Sequence, residues 1–142
     1  MFQIEFYRLP NGKQPIVEFL DGLDTKMRAK ALHSISILEE FGNQLREPHS
    51  KSMGDFRNYL DEQRKNPEFA AEYEAMRPEY EAIRAVIAAR LESRMTQKEL
   101  AEKTGIRQSN ISRIESGVSS PTVETLARIA SGLGKQLKIE FI

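Results

Sequence analysis

The segment Thr96–Gly117, TQKELAEKTGIRQSNISRIESG, restricts the fold of this chain more than any other stretch. Thr96 and Glu99 have the spacing of a capping box, in which each side chain bonds to the backbone of the other residue at a helix start. Gly105 lies where a short turn between helices needs a positive φ. The segment therefore predicts two short helices, the first starting at Gln97, joined by a tight turn.

The second of these helices is predicted to have one apolar and one polar face. Ile106, Ile111 and Ile114 mark the side that packs inward. The outer side then carries polar residues that a core cannot use, namely Gln108, Ser109, Ser112 and Arg113. Amide and guanidinium groups can pair bidentately with adenine and guanine, and a helix of about 10 Å diameter fits the major groove of DNA. The pattern favours DNA reading, and a purely structural hairpin or a protein-docking domain is the alternative.

The starts of both helices and the turn after the second helix add candidate phosphate contacts, because free backbone amides and the positive end of the helix dipole attract anions. Gln97, Arg107 and the Ser119–Ser120 turn are the candidates for that role. The full set of predicted DNA contacts is Thr96, Gln97, Arg107, Gln108, Ser109, Asn110, Ser112, Arg113, Ser119 and Ser120.

This pattern resembles the helix-turn-helix of the Cro and lambda repressor type, also called the xenobiotic-response-element family. The resemblance covers about residues 79–133 and includes the segment ESGVSSPTVETLARIASGLG. Its matching positions are Gln97, Leu100, Ala101, Gly105, Ile111 and Ile114. The resemblance implies double-stranded operator DNA as the ligand. The function that we predict is a repressor that binds a palindromic operator as a homodimer, and we predict no cofactor. For residues 79–142 we expect a five-helix DNA-binding domain followed by a strand, QLKIEFI, that alternates Leu137, Ile139 and Phe141 with polar residues.

Residues 1–53 predict a strand and two helices. Phe2, Ile4 and Phe6 alternate with polar residues up to Pro10, which is typical of a strand with one buried face. Pro15 begins a helix whose inner face is predicted as Ile16, Phe19, Leu20 and Leu23. A second helix, residues 25–41, is predicted to bury Met27, Ala31, Ile35 and Leu38. The segment resembles the opening strand and helices of HigB and RelE-type toxins, which are messenger RNA endonucleases. The later strands that carry their catalytic residues have no counterpart, so we predict no catalytic residue and no enzyme.

A polar stretch around residues 48–54 predicts a boundary, after which residues 54–78 form short helices. Asp55 and the Asn66–Pro67 pair start these helices, and their aromatic residues are expected to pack against a partner surface. The stretch from residue 55 to the end resembles a HigA-type antitoxin, which implies toxin or dimer contacts for these helices and for the closing strand. An interaction module that neutralises a HigB or RelE-type toxin is the second functional hypothesis.

The sequence thus predicts a mainly α protein: a lambda-repressor-like helix-turn-helix domain with an N-terminal strand-helix-helix fragment and a C-terminal strand. The net charge is zero, although residues 79–142 carry ten basic and eight acidic residues. The lack of cysteine, of a secretory signal and of a long apolar segment predicts a cytoplasmic protein without a membrane partner or a thiolate metal site. His33 and His49, and the adjacent Glu39 and Glu40, are expected to be solvated rather than metal ligands.

Overall fold

The structure, a computed structural model, describes residues 4–42 and 55–142. The chain divides into two compact units, Met1–Arg77 (the N-terminal unit) and Pro78–Ile142 (the C-terminal unit). The helices are α1 Pro15–Asp21, α2 Thr25–Phe41, α3 Asp55–Arg64, α4 Pro67–Ala75, α5 Arg77–Glu92, α6 Gln97–Thr104, α7 Gln108–Glu115 and α8 Val123–Gly132. A mainly α fold is therefore confirmed. Among the helices of the described ranges, none has the length and apolar character needed to cross a membrane.

The N-terminal strand predicted for Phe2–Phe6 is wrong for the residues that the structure describes, since residues 4–9 form no strand. The alternation itself is present, because Phe6 is buried and Glu5 and Tyr7 are exposed. The backbone bonds of this segment go to the start of α3. The amide of Phe6 donates to Asp55 Oδ2 at 3.0 Å, and the amide of Phe56 donates to the carbonyl of Ile4 at 3.2 Å.

The predicted C-terminal strand is also wrong, since residues 135–142 form no strand. The five-helix prediction for residues 79–142 is wrong as well, because four helices, α5 to α8, lie in this part of the structure. After α8 the chain turns at Gly134, which has a φ of 68°, and no further helix follows. A period-two pattern makes a strand only where a neighbouring strand supplies backbone partners.

The helix boundaries of the N-terminal unit follow local signals. Pro15 occupies the first position of α1, and the side chain of Asp24 caps α2 by accepting from the amide of Met27 at 2.8 Å. The predicted inner faces are only partly right. Leu20 is buried, but Phe19 of α1 is 61% exposed. Met27 and Leu38 of α2 are exposed too, whereas the buried apolar residues of α2 are Ala29, Leu32 and Ile37.

Two polar residues of α2 that were expected in solvent are buried. The His33 ring is 2% exposed, stacks on the Tyr73 ring with centroids 3.7 Å apart, and donates from Nε2 to the Tyr73 carbonyl at 2.7 Å. Glu39 is also 2% exposed and forms a bidentate ion pair with Arg57, with both N–O distances 3.0 Å. His33 Nε2 and Glu39 Oε1 therefore each have a hydrogen-bond partner where they are buried. Glu40 is exposed, and His49 lies outside the described residues.

Helices α3 and α4 complete the core of the N-terminal unit. This core unites side chains from before and after the predicted boundary near residue 53: Phe6, Leu20, Ala29, Leu32, Phe56, Leu60, Phe69 and Tyr73. Asn66 caps α4 as its sequence position predicts, by accepting from the amides of Glu68 and Phe69. Residues 55–75 therefore pack within the N-terminal unit, and the division between the units falls after Arg77.

The core of the C-terminal unit brings its four helices together. It consists of Val86 of α5, Leu100 of α6, Ile106 of the turn, Ile111 and Ile114 of α7, and Ile129 of α8. Helix α8 begins at Val123, because the side chain of Thr122 caps it by accepting from the amide of Thr125. Helices α6 and α8 approach closely at Gly132, where an added Cβ would lie 2.5 Å from Cγ2 of Thr104.

Candidate nucleic-acid interface

The start of α6 is fixed by the predicted capping box. The amide of Glu99 donates to Thr96 Oγ1 at 3.1 Å, and the amide of Thr96 donates to Glu99 Oε2 at 2.7 Å. The hydrogen bond from the Thr96 backbone, reinforced by the Thr96 side chain, lowers the pKa of the Glu99 carboxyl below its ordinary value. The first turn of α6 is therefore well defined and carries a charged carboxylate at neutral pH.

The turn between α6 and α7 depends on Gly105, as the sequence predicts. Gly105 has a φ of 71°, a left-handed conformation, and its amide donates to the carbonyl of Ala101 at 2.9 Å. The next residue, Ile106, is buried, and its amide donates to Thr104 Oγ1 at 3.3 Å. The left-handed conformation of Gly105 and the burial of Ile106 together fix the direction of α7 relative to α6.

Helix α7 separates its two faces as predicted. Ile111 is fully buried and Ile114 is 5% exposed, both in the core of the C-terminal unit. The predicted reading residues Gln108, Ser109, Ser112 and Arg113 are all exposed. The geometric condition for insertion of α7 into a groove, a free polar face opposite an anchored apolar face, is therefore present.

A buried ion pair, which the sequence analysis missed, ties α7 to α5. Arg90 donates from Nε to Glu115 Oε1 at 2.6 Å and from Nη2 to Glu115 Oε2 at 2.8 Å. The two side chains are 13% and 7% exposed. Arg90 also donates to the carbonyl of Met95 at 2.9 Å, so one guanidinium links the last turn of α7 to the end of α5.

The spacing of these charged residues contained a signal for the pair. Glu115 follows Ile111 by four positions and Ile114 by one, which places it on the inner face of α7. Arg90 follows Val86 by four and Ile87 by three, on the buried side of α5. Two opposite charges on inward faces are expected to pair with each other, because a buried charge without a partner is strongly destabilising.

The same network involves the predicted phosphate contact Gln97. Its Nε2 donates to Glu115 Oε2 at 2.9 Å, and its side chain is half-buried. One amide hydrogen of Gln97 is thus used inside the protein, while the carbonyl oxygen and the second hydrogen have no such partner in the described residues. Gln97 therefore positions the start of α6 relative to α7.

The loop after α7 is attached to the carbonyl of Arg113, which accepts from the amides of Val118 at 2.9 Å and Ser119 at 3.2 Å. The hydroxyl of Ser120 donates to Glu79 Oε1. Since that carboxylate is negative and close, Ser120 is a weaker candidate for a phosphate contact than its sequence position predicts.

The loop, the turn and the start of α8 together border a solvent-open cavity of about 470 Å³. Arg107 and Arg128 supply positive charge to its lining, and Asn110, Ser119 and Thr122 supply polar groups. Of the predicted contact residues, Arg107, Asn110, Ser119 and Ser120 line this cavity. Of the predicted set, Gln97 and Ser119 are half-buried, and those exposed are Thr96, Arg107, Gln108, Ser109, Asn110, Ser112, Arg113 and Ser120.

Comparison with known proteins agrees with this geometry. Residues 86–139 match the family model described as Helix-turn-helix. The chain is 39% identical over 57 residues to an uncharacterized HTH-type transcriptional regulator of Haemophilus influenzae (strain ATCC 51907 / DSM 11121 / KW20 / Rd). The alignment covers 40% of this chain and 58% of that protein, so the chain spans less than two thirds of its relative. No solved structure gives a significant match. Residues 86–139, with α6, Gly105 and α7 at their centre, are therefore a helix-turn-helix domain.

Proposed function

We propose that this protein is a sequence-specific, double-stranded DNA-binding transcriptional repressor that reads its operator with α7. One observation carries the proposal, namely that the polar face of α7 is exposed while Ile111 and Ile114 hold the opposite face in the core. In the described parts of the chain, no hydrogen bond or ion pair engages the side chains of Gln108, Ser109 or Arg113. These donors and acceptors are available for base edges. The helix-turn-helix match and the name of the Haemophilus relative, an HTH-type transcriptional regulator, support the same function.

The decisive experiment selects bound sequences from random duplex DNA and then measures the affinity of the best site by fluorescence anisotropy. A guanidinium pairs bidentately with guanine, so Arg113→Ala is expected to lose about 1–3 kcal/mol on that site and to relax one base position. Arg8→Ala, which removes an exposed arginine of the N-terminal unit, is the matched control. Unchanged affinity and base preference in Arg113→Ala would contradict reading by α7.

Phosphate contact is proposed for Arg107, which is exposed beside the turn and borders the same cavity as Arg128. Arg107→Ala is expected to weaken binding to all duplexes alike. The slope of log affinity against log salt concentration should also become shallower by about one, since one fewer counterion is released. A loss confined to one base pair of the operator would assign Arg107 to base reading instead.

We propose further that two copies bind a palindromic operator, with their α7 helices about 34 Å apart, one turn of DNA. The operator should then show two inverted half-sites, and titration at high concentration should give two chains per duplex. A single asymmetric site that is saturated by one chain would refute this arrangement while leaving DNA binding intact.

The antitoxin class of repressor is the finer form of the proposal. It is supported by the resemblance of residues 55–142 to HigA-type antitoxins and of residues 1–53 to a catalytically inert, truncated HigB or RelE-type toxin. We expect co-expression of the full chain to suppress growth arrest by a toxin of that class. The chain should also bind that toxin in a pull-down experiment. Messenger RNA cleavage by this chain alone would contradict the inert fragment, and failure to bind any such toxin would leave a repressor without an antitoxin role.

A further inference from the structure

The core of the N-terminal unit is built from two segments that lie apart in the sequence, residues 4–42 and residues 55–75. Among the described residues, four of its eight buried members belong to each segment. The second segment contributes Phe56 and Leu60 of α3 and Phe69 and Tyr73 of α4 (the α3–α4 face), and each is at most 6% exposed. Helices of ten and nine residues are not stable alone in water, so α3 and α4 depend on the cover that residues 4–42 provide.

Polar bonds also join the two segments beside this apolar core. The hydroxyl of Tyr59 on α3 donates to Asp21 Oδ1 at 2.6 Å. Farther along α3, the side chain of Gln63 accepts a hydrogen bond from Arg28 Nη1 at 2.9 Å. In each pair one residue belongs to the first segment and the other to the second.

Helix α2 adds two contacts through polar side chains that are buried. The carboxylate of Glu39 pairs with Arg57 of α3 through two N–O distances of 3.0 Å. His33 Nε2 donates to the carbonyl of Tyr73 of α4 at 2.7 Å, and its ring stacks on the Tyr73 ring. An apolar centre that is bordered by hydrogen bonds and ion pairs is the composition of an interface between two polypeptides.

Residues 4–42 are in addition braced within their own segment. Arg28 of α2 donates from Nε to the carbonyl of Leu20 and from Nη2 to the carbonyl of Leu23, both at 2.9 Å. These carbonyls lie at and just beyond the C-terminal end of α1, where the last carbonyl groups of a helix need donors. Two bonds of one guanidinium thus fix the end of α1 to the start of α2 inside the first segment.

We propose that the α3–α4 face is a polypeptide-binding surface and that residues 4–42 are its ligand, tethered in the same chain. The partner that fits this face is a two-helix segment with an apolar side, a glutamate that pairs with Arg57 and a hydrogen-bond donor for the carbonyl of Tyr73. Attachment in one chain gives such a ligand an effective concentration on the order of millimolar. A free polypeptide at micromolar concentration is therefore excluded while residues 4–42 are in place. This inference goes beyond the proposed function and does not depend on DNA binding.

The test adds a fluorescent peptide with the sequence of residues 4–42 to the full chain and follows binding by fluorescence anisotropy. Wild type is expected to leave the peptide free at micromolar concentration, because its own residues cover the face. Leu32→Asp in the full chain places a charge at a fully buried position of the tethered ligand and leaves α3 and α4 unchanged. This variant is expected to bind the peptide at least about 100-fold more tightly than wild type. Leu38→Asp, the same change at a 55% exposed residue of α2, is the control and should behave as wild type.

Reversal of the ion pair shows whether the peptide takes the place of residues 4–42, and it leaves the apolar core intact. Arg57→Glu in the full chain sets two carboxylates against each other, since Glu39 is only 3% exposed, and should loosen the tethered ligand. A peptide that carries Glu39→Arg restores an attractive pair with this variant. It should bind Arg57→Glu roughly tenfold more tightly than the unchanged peptide does.

Three results would overturn the proposal. Wild type that binds the peptide as tightly as Leu32→Asp would show that residues 4–42 do not occupy the face. A peptide that binds neither Leu32→Asp nor Arg57→Glu would show that the two segments form one inseparable core. Equal binding of both peptides to Arg57→Glu would place the peptide elsewhere on the protein. Operator binding is measured separately on the same variants, so failure of this proposal and failure of the proposed function are distinguishable.

Discussion

The ion pair between Arg90 and Glu115 provides the most direct test of how this domain holds α7. We consider the change Glu115→Leu, which removes the acceptor of two Arg90 hydrogen bonds, 2.6 and 2.8 Å long, and of the hydrogen bond from Gln97 at 2.9 Å. Arg90 keeps its bond to the carbonyl of Met95, but its charge remains in a site where the side chain is 13% exposed. The variant therefore contains a buried cation without a counter-charge.

The magnitude follows from that burial. Breaking a buried ion pair by removing one partner costs about 3–5 kcal/mol, and the small access of Arg90 to water argues for the lower end, about 3 kcal/mol. For a chain of this length the midpoint of thermal unfolding should then fall by roughly 6–12 °C. Replacing both partners, as in Arg90→Met with Glu115→Leu, removes the unpaired charge, and the stability of this double variant should return to within about 1 kcal/mol of wild type.

The assay is urea unfolding of the full chain, followed by far-ultraviolet circular dichroism, for wild type, both single variants and the double variant. The two compact units call for a check of single-transition behaviour before free energies are compared. Single variants within about 1 kcal/mol of wild type, or a double variant that loses the sum of both single losses, would refute the role assigned to the pair.

Three further predictions concern local geometry in the same unit. Gly132→Ala should destabilise the protein by about 1–3 kcal/mol, because the new methyl group would lie 2.5 Å from Cγ2 of Thr104. In thermal unfolding, the double variant Gly132→Ala with Thr104→Ser, which lacks Cγ2 of residue 104, should recover much of the loss. The pKa of Glu99 is lowered, so the stability that its capping bonds contribute is present above the ordinary carboxyl range and is lost as the pH falls through the folded-state pKa. The loss of stability on acid titration should therefore be less steep for Glu99→Gln than for wild type. Identical titrations of the two proteins would contradict this. Arg94 has a φ of 54°, a left-handed conformation that glycine adopts at less cost than arginine. Arg94→Gly should therefore raise the free energy of unfolding in urea by up to about 1 kcal/mol. A decrease would show that the Arg94 side chain has another role.

The features that depend on neighbours in sequence were predictable. The capping box at Thr96 and Glu99, the positive φ of Gly105 and the burial of Ile111 and Ile114 are each specified within a few residues. The exposed polar face of α7 follows from the last of these, because a helix that buries one stripe exposes the opposite one. Whether the exposed side chains contact DNA stays a prediction.

The features that depend on distant segments were not predictable in the same way. Helix α2 has apolar residues on two sides, and its periodicity does not indicate which of them meets α4. Burial of Glu39 depends on Arg57, which lies eighteen positions away on α3. The two predicted strands fail for the same reason, since a strand needs a partner that lies outside its own sequence.

The division of α7 into an anchored and a free face bears on how such a protein can acquire new targets. The predicted reading residues of α7 take no part in the core, so substitutions there should alter stability by no more than about 0.5 kcal/mol. If α7 reads DNA as proposed, preference for one base sequence can drift, or be redesigned from a library at Gln108, Ser109, Ser112 and Arg113, without compensating changes in the scaffold. Under the proposed function, folding and target choice are thus encoded at separate positions of a single eight-residue helix.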